Sequence, residues 1–569
     1  MNTVFEKWLN SDKIDDATRA ELLAMKDKPH EIALGFNSPM QFGTAGLRSF
    51  MGAGISRMNK YTVAHTTQGL ASLILSEEAA DKGVVIAYDS RNNSELFAKT
   101  AACVLAANKI KVYLFESLRP TPELSFAVLY LKAIAGINIT ASHNPKEYNG
   151  YKVFWSDGAQ LSVEHAETVS AAVEKSDIFY DVFYIDFNEA VNAGIINIIG
   201  KEIDEPFMQA VLDCRINPEL IEKYADSLNI IYTPFHGAGG YLVPETLKRA
   251  GLNNLRIVPE QKEPDGNFPT VKSPNPENKE GFALAINMAL NSECDCDLMI
   301  ATDPDADRIG IIIKDSDGLY SALSGNQVGI LLAEYIITAR KEKGILPENA
   351  CAVRSVVSSR LFDAICIENG VTSFIVLTGF KYIGEKINEV LESGSNTFIF
   401  GYEESCGYLP GPYIRDKDGI GASLLFVELA AYYRSKGKSV YEALQDIYNK
   451  YGYYDEYTLN NMIAGLNPMA EMNGRMENLR SKPRSEIFET SVLRIRDYNT
   501  GELLDLITGN ITKESLPVSN MLVYELEDST EIAIRPSGTE PKVKIYILAK
   551  GKSALDVKNK IEKYKKITI

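Results

Sequence analysis

From Lys82 onward, short runs of β-branched and aromatic residues alternate with amphipathic stretches: VVIAYDSR, then LFAKTAACVLAANK, then KVYLF, then AIAGINITASHNP. The second reads as a helix and the others as strands, which makes βαβ units around a parallel or mixed sheet. The pattern returns twice. NIIYTPFHGAGG, a helix to Lys248 and DLMIATDPDADR form a second unit. SFIVLTGFKYIG, a helix to Leu391, TFIFGYEESCG and a helix from about Ala422 to Arg434 form a third. Each unit puts a polar loop containing Gly or Pro where a strand ends, which is where open α/β sheets bind ligands.

After Tyr451 the texture changes. A polar stretch from Tyr451 to Lys482 reads as a linker, and SVLRIRDY, MLVYELED, TEIAIRPSG and VKIYILAK read as strands before a last helix over Ser553 to Lys565. Strands first and a helix last predict a separate α+β domain. The expected fold is therefore three similar α/β domains with mixed sheets, over 1–205, 206–320 and 321–452, plus a C-terminal α+β domain over 453–569. Gln261 to Asn278, with four prolines, is expected to be an ordered irregular loop.

Length agrees, since 569 residues at roughly 150 per domain suggest about four. The net charge of -17 disfavours nucleic acid and anionic membranes as partners, so an anionic small substrate would need a locally basic pocket. No basic and apolar leader opens the chain and no apolar run has the length of a membrane span, so a cytoplasmic location is expected. Seven cysteines, with no zinc spacing and only Cys294 and Cys296 close together, read as reduced thiols. The sequons at Asn92, Asn138 and Asn510 are then chance matches.

Four loops carry candidate chemistry. In Thr140-Ala141-Ser142-His143-Asn144-Pro145, leading to Asn149-Gly150-Tyr151-Lys152, a serine beside an imidazole could be a presented nucleophile or a capped polar turn. In Asp303-Pro304-Asp305-Ala306-Asp307-Arg308, three alternate carboxylates can converge on one hard divalent cation. A calcium loop is disfavoured by Arg308 and Lys314 where Gly and Glu are needed, while the D-x-D of aspartyl-phosphate phosphatases stays open. In Gly401-Tyr402-Glu403-Glu404-Ser405-Cys406-Gly407, Glu403 and Ser405 would share one side of an extended segment and suit a sugar diol, or simply form a turn. Arg535-Pro536-Ser537-Gly538-Thr539-Glu540-Pro541 offers the donors that wrap a phosphate dianion.

Together and in this order, T-A-S-H-N-P, D-P-D-A-D-R, G-Y-E-E-S and R-P-S-G-T-E-P resemble the phosphoglucomutase/phosphomannomutase group of the α-D-phosphohexomutase superfamily. G-T-A-G-L-R at Gly43 to Arg48, the Pro264 to Glu277 loop, T-G-F-K at Thr378 to Lys381 and R-D-K-D-G at Arg415 to Gly419 add to the match, which spans about Phe42 to Lys550. The resemblance implies a heart-shaped four-domain enzyme whose central cleft collects one loop from each domain. It implies that Ser142 carries a phosphoryl group and that Asp303, Asp305 and Asp307, with a phosphoserine oxygen of Ser142, hold Mg²⁺. Arg48, His143, Lys152 and Arg308 would surround the transferring group, and Lys381 would lie near the sugar. Glu403 and Ser405 would bind sugar hydroxyls, and Arg535, Ser537, Gly538 and Thr539 the phosphate that stays.

The implied reaction interconverts glucose 1-phosphate and glucose 6-phosphate, an isomerisation in glucose metabolism, with glucose 1,6-bisphosphate as intermediate and activator. Mannose or pentose phosphates, or release of the bisphosphate as product, are the alternatives on the same scaffold. Tyr402 and Cys406 depart from the commoner forms of the sugar loop and bear on that choice. Lys152 and His143 are both candidates for moving the proton. The expected partners are small sugar phosphates, with the chain a monomer or weak homo-oligomer.

Overall fold

A computed structural model describes residues 3–40, 46–291, 295–463, 468–537 and 542–568. Two compact units emerge: Met1–Ala322 with Gly407–Tyr432, and Leu323–Cys406 with Tyr433–Ile569.

The first unit holds two mixed sheets. One contains β1 (Leu47–Phe50), β2 (Val84–Tyr88), β3 (Val112–Phe115), β4 (Ala135–Ile139), β5 (Tyr148–Trp155) and β6 (Ile196–Ile199), in the order β1-β5-β4-β2-β3-β6. β4, β2, β3 and β6 run parallel, whereas β5 is antiparallel to β4 and β1 to β5. The helix Ser94–Ala107 buries Phe97, Ala98, Ala101, Ala102 and Leu105 against β2 and β3, the apolar stripe that its sequence spacing predicts. The antiparallel β5 was hidden in the sequence: Asn144-Pro145 turns the chain back, and Lys152 thus sits inside a strand and not in the loop.

The second sheet contains β7 (Ile230–Thr233), β8 (Leu255–Ile257), β9 (Leu298–Thr302), β10 (Ile309–Lys314) and β11 (Tyr320–Ala322), in the order β11-β10-β9-β7-β8. β9 and β10 pair antiparallel from Thr302↔Ile309, so D-P-D-A-D-R is the turn of a buried hairpin. From Glu263 to Asn278 the chain is irregular but tied down, while Gln261 and Lys262, expected in the same loop, end the short helix Pro259–Lys262. Asn92 donates to Asn267 at 3.1 Å and Ser273 donates to the His143 carbonyl at 2.8 Å. Three helices that the strand pattern left unread, Thr3–Leu9, Asp16–Met25 and Pro29–Phe36, close a satellite core around Trp8, which meets Phe36, Tyr61 and Phe179 edge-on.

In the second unit, β12 (Ala350–Ser355) pairs in parallel with both β13 (Thr372–Val376) and β14 (Thr397–Glu403). The C-terminal sheet is antiparallel throughout, with Tyr453–Met462, Lys542–Gly551, Thr530–Pro536, Leu522–Leu526 and Thr490–Asp497 as successive neighbours, and the helix Ala554–Tyr564 packs on it. The supposed linker is not one. Tyr453–Met462 pairs along all ten residues with the last strand, and Pro468–Ser481 is a helix burying Met472, Met476 and Leu479. The strand lies at the edge of the sheet, where partial exposure permits a polar sequence, and methionines fill the helix's apolar stripe.

Candidate functional site

Ser142 follows the C-terminal end of β4 in a left-handed conformation, φ 49°, which costs a non-glycine residue on the order of 1 kcal/mol. Its surroundings hold it there. The Ser142 N–H donates to Thr140 Oγ1 at 2.8 Å, and the Thr140 hydroxyl donates to Asp89 Oδ2 at 2.6 Å. Buried Arg91 pairs with Asp89 at 3.3 Å and fans its guanidinium over the loop. It donates to the carbonyls of Ser142, Asn144 (2.5 Å), Pro145 (2.9 Å) and Tyr148 (3.1 Å). The Phe268 ring packs against its other side. Arg48, on β1, reaches the same turn through Asn144 Oδ1 at 2.9 Å.

The Ser142 hydroxyl donates to Asp303 Oδ2 at 2.6 Å, and His143 Nδ1 stands 3.2 Å from the same hydroxyl. Asp303, Asp305 and Asp307 are fully buried, with one ligand oxygen from each lying within 4.8 Å of the others. Asp305 Oδ2 accepts from Lys152 Nζ at 2.6 Å and from Thr121 Oγ1 at 2.6 Å. Asp307 Oδ2 accepts from Lys152 at 3.3 Å and pairs with Lys417 at 3.3 Å. Oδ1 of each has no hydrogen-bond donor among the described residues. Asp307 Oδ1 has only the Arg308 guanidinium at 3.7 Å, and an oxygen left bare inside a protein, as Asp305 Oδ1 is, is costly unless a cation takes it, so the donor set fits a hard divalent ion.

The electrostatics agree. Burial, and then Asp305 and Asp307, push Asp303 well above the ordinary carboxylate range. Asp307 is held below it, because Lys417, Lys152 and Arg308 outweigh burial. Lys152 stays charged: Asp305 and Asp307 raise its ammonium against burial. Burial, followed by the charges of Arg308 and Arg48, drives His143 well below the usual imidazole value, so its ring is neutral. Of the two candidates for moving a proton, the neutral one touches Ser142. Arg308 donates its N–H to Asp303 at 3.2 Å and its guanidinium to Glu277 at 3.2 Å.

Lys417 and Asp416, noted in the sequence only as part of R-D-K-D-G, belong here. Lys417 bonds Asp416 at 2.8 Å, and Asp416 takes the Gln160 amide at 2.7 Å. The following Gly419 passes so near the metal loop that a Cβ would lie 2.5 Å from the Ala306 carbonyl, which reserves the position for glycine. Asp89 and Arg91 were missed because their partners lie some fifty residues away; the signal available was an Asp-x-Arg at a strand end.

The remaining predicted residues lie in the second unit. Ser405 Oγ donates to Glu403 Oε1 at 3.0 Å, so this pair does converge. It does so around a turn with Cys406 at φ 62°, not along an extended segment, because the strand ends at Glu403. Tyr402 is fully buried against Gly329, Phe362 and Phe400 and belongs to the core. Lys381, in the first turn of the helix Phe380–Ser393, is buried and has its ammonium pulled down by burial. Arg535 is on the strand Thr530–Pro536, not on a loop, and Ser537 follows, its N–H bonded to the Lys542 carbonyl at 2.9 Å. Gly538 and Thr539 fall outside the described residues, as do Gly43, Thr44 and Ala45 of G-T-A-G-L-R.

A buried serine hydrogen-bonded to a metal-competent acidic loop, in tandem α/β domains, agrees with comparison to known proteins. Models of the phosphoglucomutase/phosphomannomutase alpha/beta/alpha domains I, II and III match residues 39–178, 205–318 and 324–451. Phosphoglucomutase of Staphylococcus epidermidis RP62A is 38% identical over 516 residues, 90% of this chain and 91% of that one. Phosphoglucomutase of Staphylococcus aureus RF122 is 38% identical over 528 residues, covering 93% and 92%. The fold is shared with Paramecium parafusin in its open form, at TM-score 0.67, 17% identity and coverage of 92% and 94%. It is shared too with a family protein from Burkholderia thailandensis, at TM-score 0.62, 17% identity and coverage of 93% and 97%. No helix among the described residues is long and apolar enough to cross a membrane. With three consecutive domain models and these full-length relatives behind the geometry, the chain belongs to the phosphoglucomutase/phosphomannomutase family.

Proposed function

We propose that this chain is a phosphoglucomutase, interconverting glucose 1-phosphate and glucose 6-phosphate through a phosphorylated Ser142. The observation that carries the reading is the Ser142 hydroxyl 2.6 Å from Asp303, at the rim of a buried three-aspartate site, with a neutral imidazole 3.2 Å away. In the forward half-reaction the bond between Ser142 Oγ and phosphorus breaks as the free sugar hydroxyl bonds to phosphorus. The hydroxyl proton leaves and the serine oxygen regains one, and His143 is placed to handle it. The second half-reaction returns the other phosphate to Ser142. Arg48, Arg308, Lys152 and Lys417 offset the charge of phosphoserine and sugar phosphate. Three carboxylate oxygens suit Mg²⁺, which would polarise the transferring phosphoryl group.

Glu403, Ser405 and Lys381 are assigned to the sugar, and Arg535, Ser537, Gly538 and Thr539 to the phosphate that stays. Glucose 1,6-bisphosphate would prime Ser142. The sequence division at 205/206, 320/321 and 452/453 is kept, and with no membrane helix described, the cytoplasm is the assigned location.

The decisive experiment follows glucose 1-phosphate turnover with and without glucose 1,6-bisphosphate, in wild type and Ser142→Ala, with intact mass of the protein. A phosphorylated wild type, activated by bisphosphate, and an inert but folded Ser142→Ala are expected. Turnover by Ser142→Ala would remove the covalent mechanism. Net release of inorganic phosphate or bisphosphate would change the reaction class, and faster mannose 1-phosphate or ribose 1-phosphate turnover would change the substrate.

A further inference from the structure

Asp305 receives donors from two directions, and one of them belongs to no motif. Thr121 is the first residue of the helix Thr121–Leu131, entered through Pro120. Its side chain is fully buried. The Thr121 N–H donates to the Asp305 carbonyl at 2.9 Å, while its hydroxyl reaches Asp305 Oδ2 at 2.6 Å. The same hydroxyl lies 2.6 Å from the side-chain amide of Asn138, which is buried on β4.

The chemistry fixes the direction of every proton in this chain. An ionised carboxylate only accepts, so the single hydroxyl proton of Thr121 goes to Asp305. Asn138 must then present its NH₂ to the Thr121 oxygen, which orients the amide. Asn138 is paired across the sheet with Lys152, so the second donor to Asp305 Oδ2 comes from the adjoining strand position. Two donors therefore saturate Oδ2, and Oδ1 is left bare.

We propose that Thr121, oriented by Asn138, is a positioning residue for the metal site: it fixes the rotamer of Asp305 so that Oδ1 is the oxygen offered to a divalent cation. The inference rests on the reading of Asp303, Asp305 and Asp307 as a metal site. Lys152 alone is a poor substitute for Thr121, because its ammonium is also shared with Asp307 and its long stem adapts, whereas a hydroxyl at a helix start has one reach. Hydrogen-bond partners of a metal ligand commonly govern affinity by about ten- to a hundred-fold.

The test is Mn²⁺ binding to the full chain without sugar, read by the electron paramagnetic resonance signal of free Mn²⁺, for wild type, Thr121→Val, Thr121→Ser and Thr121→Ala. Thr121→Val keeps shape and loses the donor, and about a ten-fold weaker Kd or more is expected. Thr121→Ser keeps the donor and should bind within about two-fold of wild type. If Thr121→Val fails to fold, Thr121→Ala carries the same expectation. Wild-type affinity in the donor-less variants would overturn the inference alone, as would equal losses in Thr121→Ser and Thr121→Val, which would mark a packing effect. A wild type that binds no Mn²⁺ would overturn the metal reading and the inference with it.

Discussion

Two loops of this chain each carry neighbouring carboxylates at a strand end, and they treat them differently. In Asp303–Arg308 every aspartate is buried, and Oδ2 of both Asp305 and Asp307 is met by lysine. In Gly401–Gly407, Glu403 accepts from the Ser405 hydroxyl at 3.0 Å and Glu404 from the Ser355 hydroxyl at 2.9 Å. Burial and the adjacent Glu403 push Glu404 above its ordinary value, with Lys544 opposing. The first loop thus holds two of its three aspartates on lysine ammonium groups, as the proposed metal and phosphoryl roles would require. The second pairs its carboxylates with hydroxyls instead of lysines, which is the difference on which the proposed sugar-binding role of Glu403 and Ser405 rests.

The contrast breaks most sharply at Asp307. Asp307→Asn removes a metal oxygen and the anion that Lys152 and Lys417 face, so Mn²⁺ affinity should fall by more than the roughly hundred-fold seen for ligand partners, with turnover lost alongside. Metal binding that survived would assign the ion elsewhere. Arg535→Ala tests the other unit: loss of a charge-assisted phosphate contact of about 2–3 kcal/mol should lower kcat/KM by roughly 30- to 150-fold. Steady-state kinetics with glucose 1-phosphate checks it, and an unchanged value would release Arg535 from the phosphate assignment.

Arg91→Lys sharpens the idea of a fixed loop. The charge remains but the fork over four carbonyls is lost, so kcat should drop by about ten- to a hundred-fold with KM nearly constant, as misplacement of a reacting group predicts. A fall in apparent kcat that only tracks a smaller folded fraction, with kcat per folded molecule unchanged, would make Arg91 merely structural.

An effect on stability and not on turnover lies at Glu456, on the edge strand Tyr453–Met462, where burial, with Asp455 beside it, pushes the carboxyl up to about 8. Because the folded value exceeds the ordinary value of about 4.3, the native state binds this proton more tightly. Stability should therefore decline as pH rises from about 4.3 and level off above about 8. Glu456→Gln mimics the protonated form, so its Tm should match wild type at low pH and exceed it at pH 9. Parallel Tm curves would show that Glu456 is not strained.

What could be read in advance follows from how local each signal is. The strand, loop and helix order of the α/β domains was legible because buried parallel strands are continuous apolar runs. Ser142 and the three aspartates were legible because their chemistry is packed into six-residue loops. Asp89, Arg91 and Thr121 act across the fold on residues about 50 to 180 positions away, and nothing adjacent in sequence marks them. Tyr453–Met462 reads as linker because an edge strand tolerates polar residues that a central strand would not, and β5 is not visible in the sequence because a turn at Asn144-Pro145 does not announce a reversal into the same sheet.

Asn138-Ile139-Thr140 is also a glycan acceptor sequence, and its amide is the donor that orients Thr121. In the folded chain that nitrogen has no solvent access, but a nascent chain in a secretory compartment would present it before folding. A sugar tree attached there could not enter the sheet, and its bulk would displace the Thr121 hydroxyl that the nitrogen meets at 2.6 Å. Export of this sequence through a glycosylating host should therefore yield a misfolded product, a barrier to secretion written into the residues that support the metal loop.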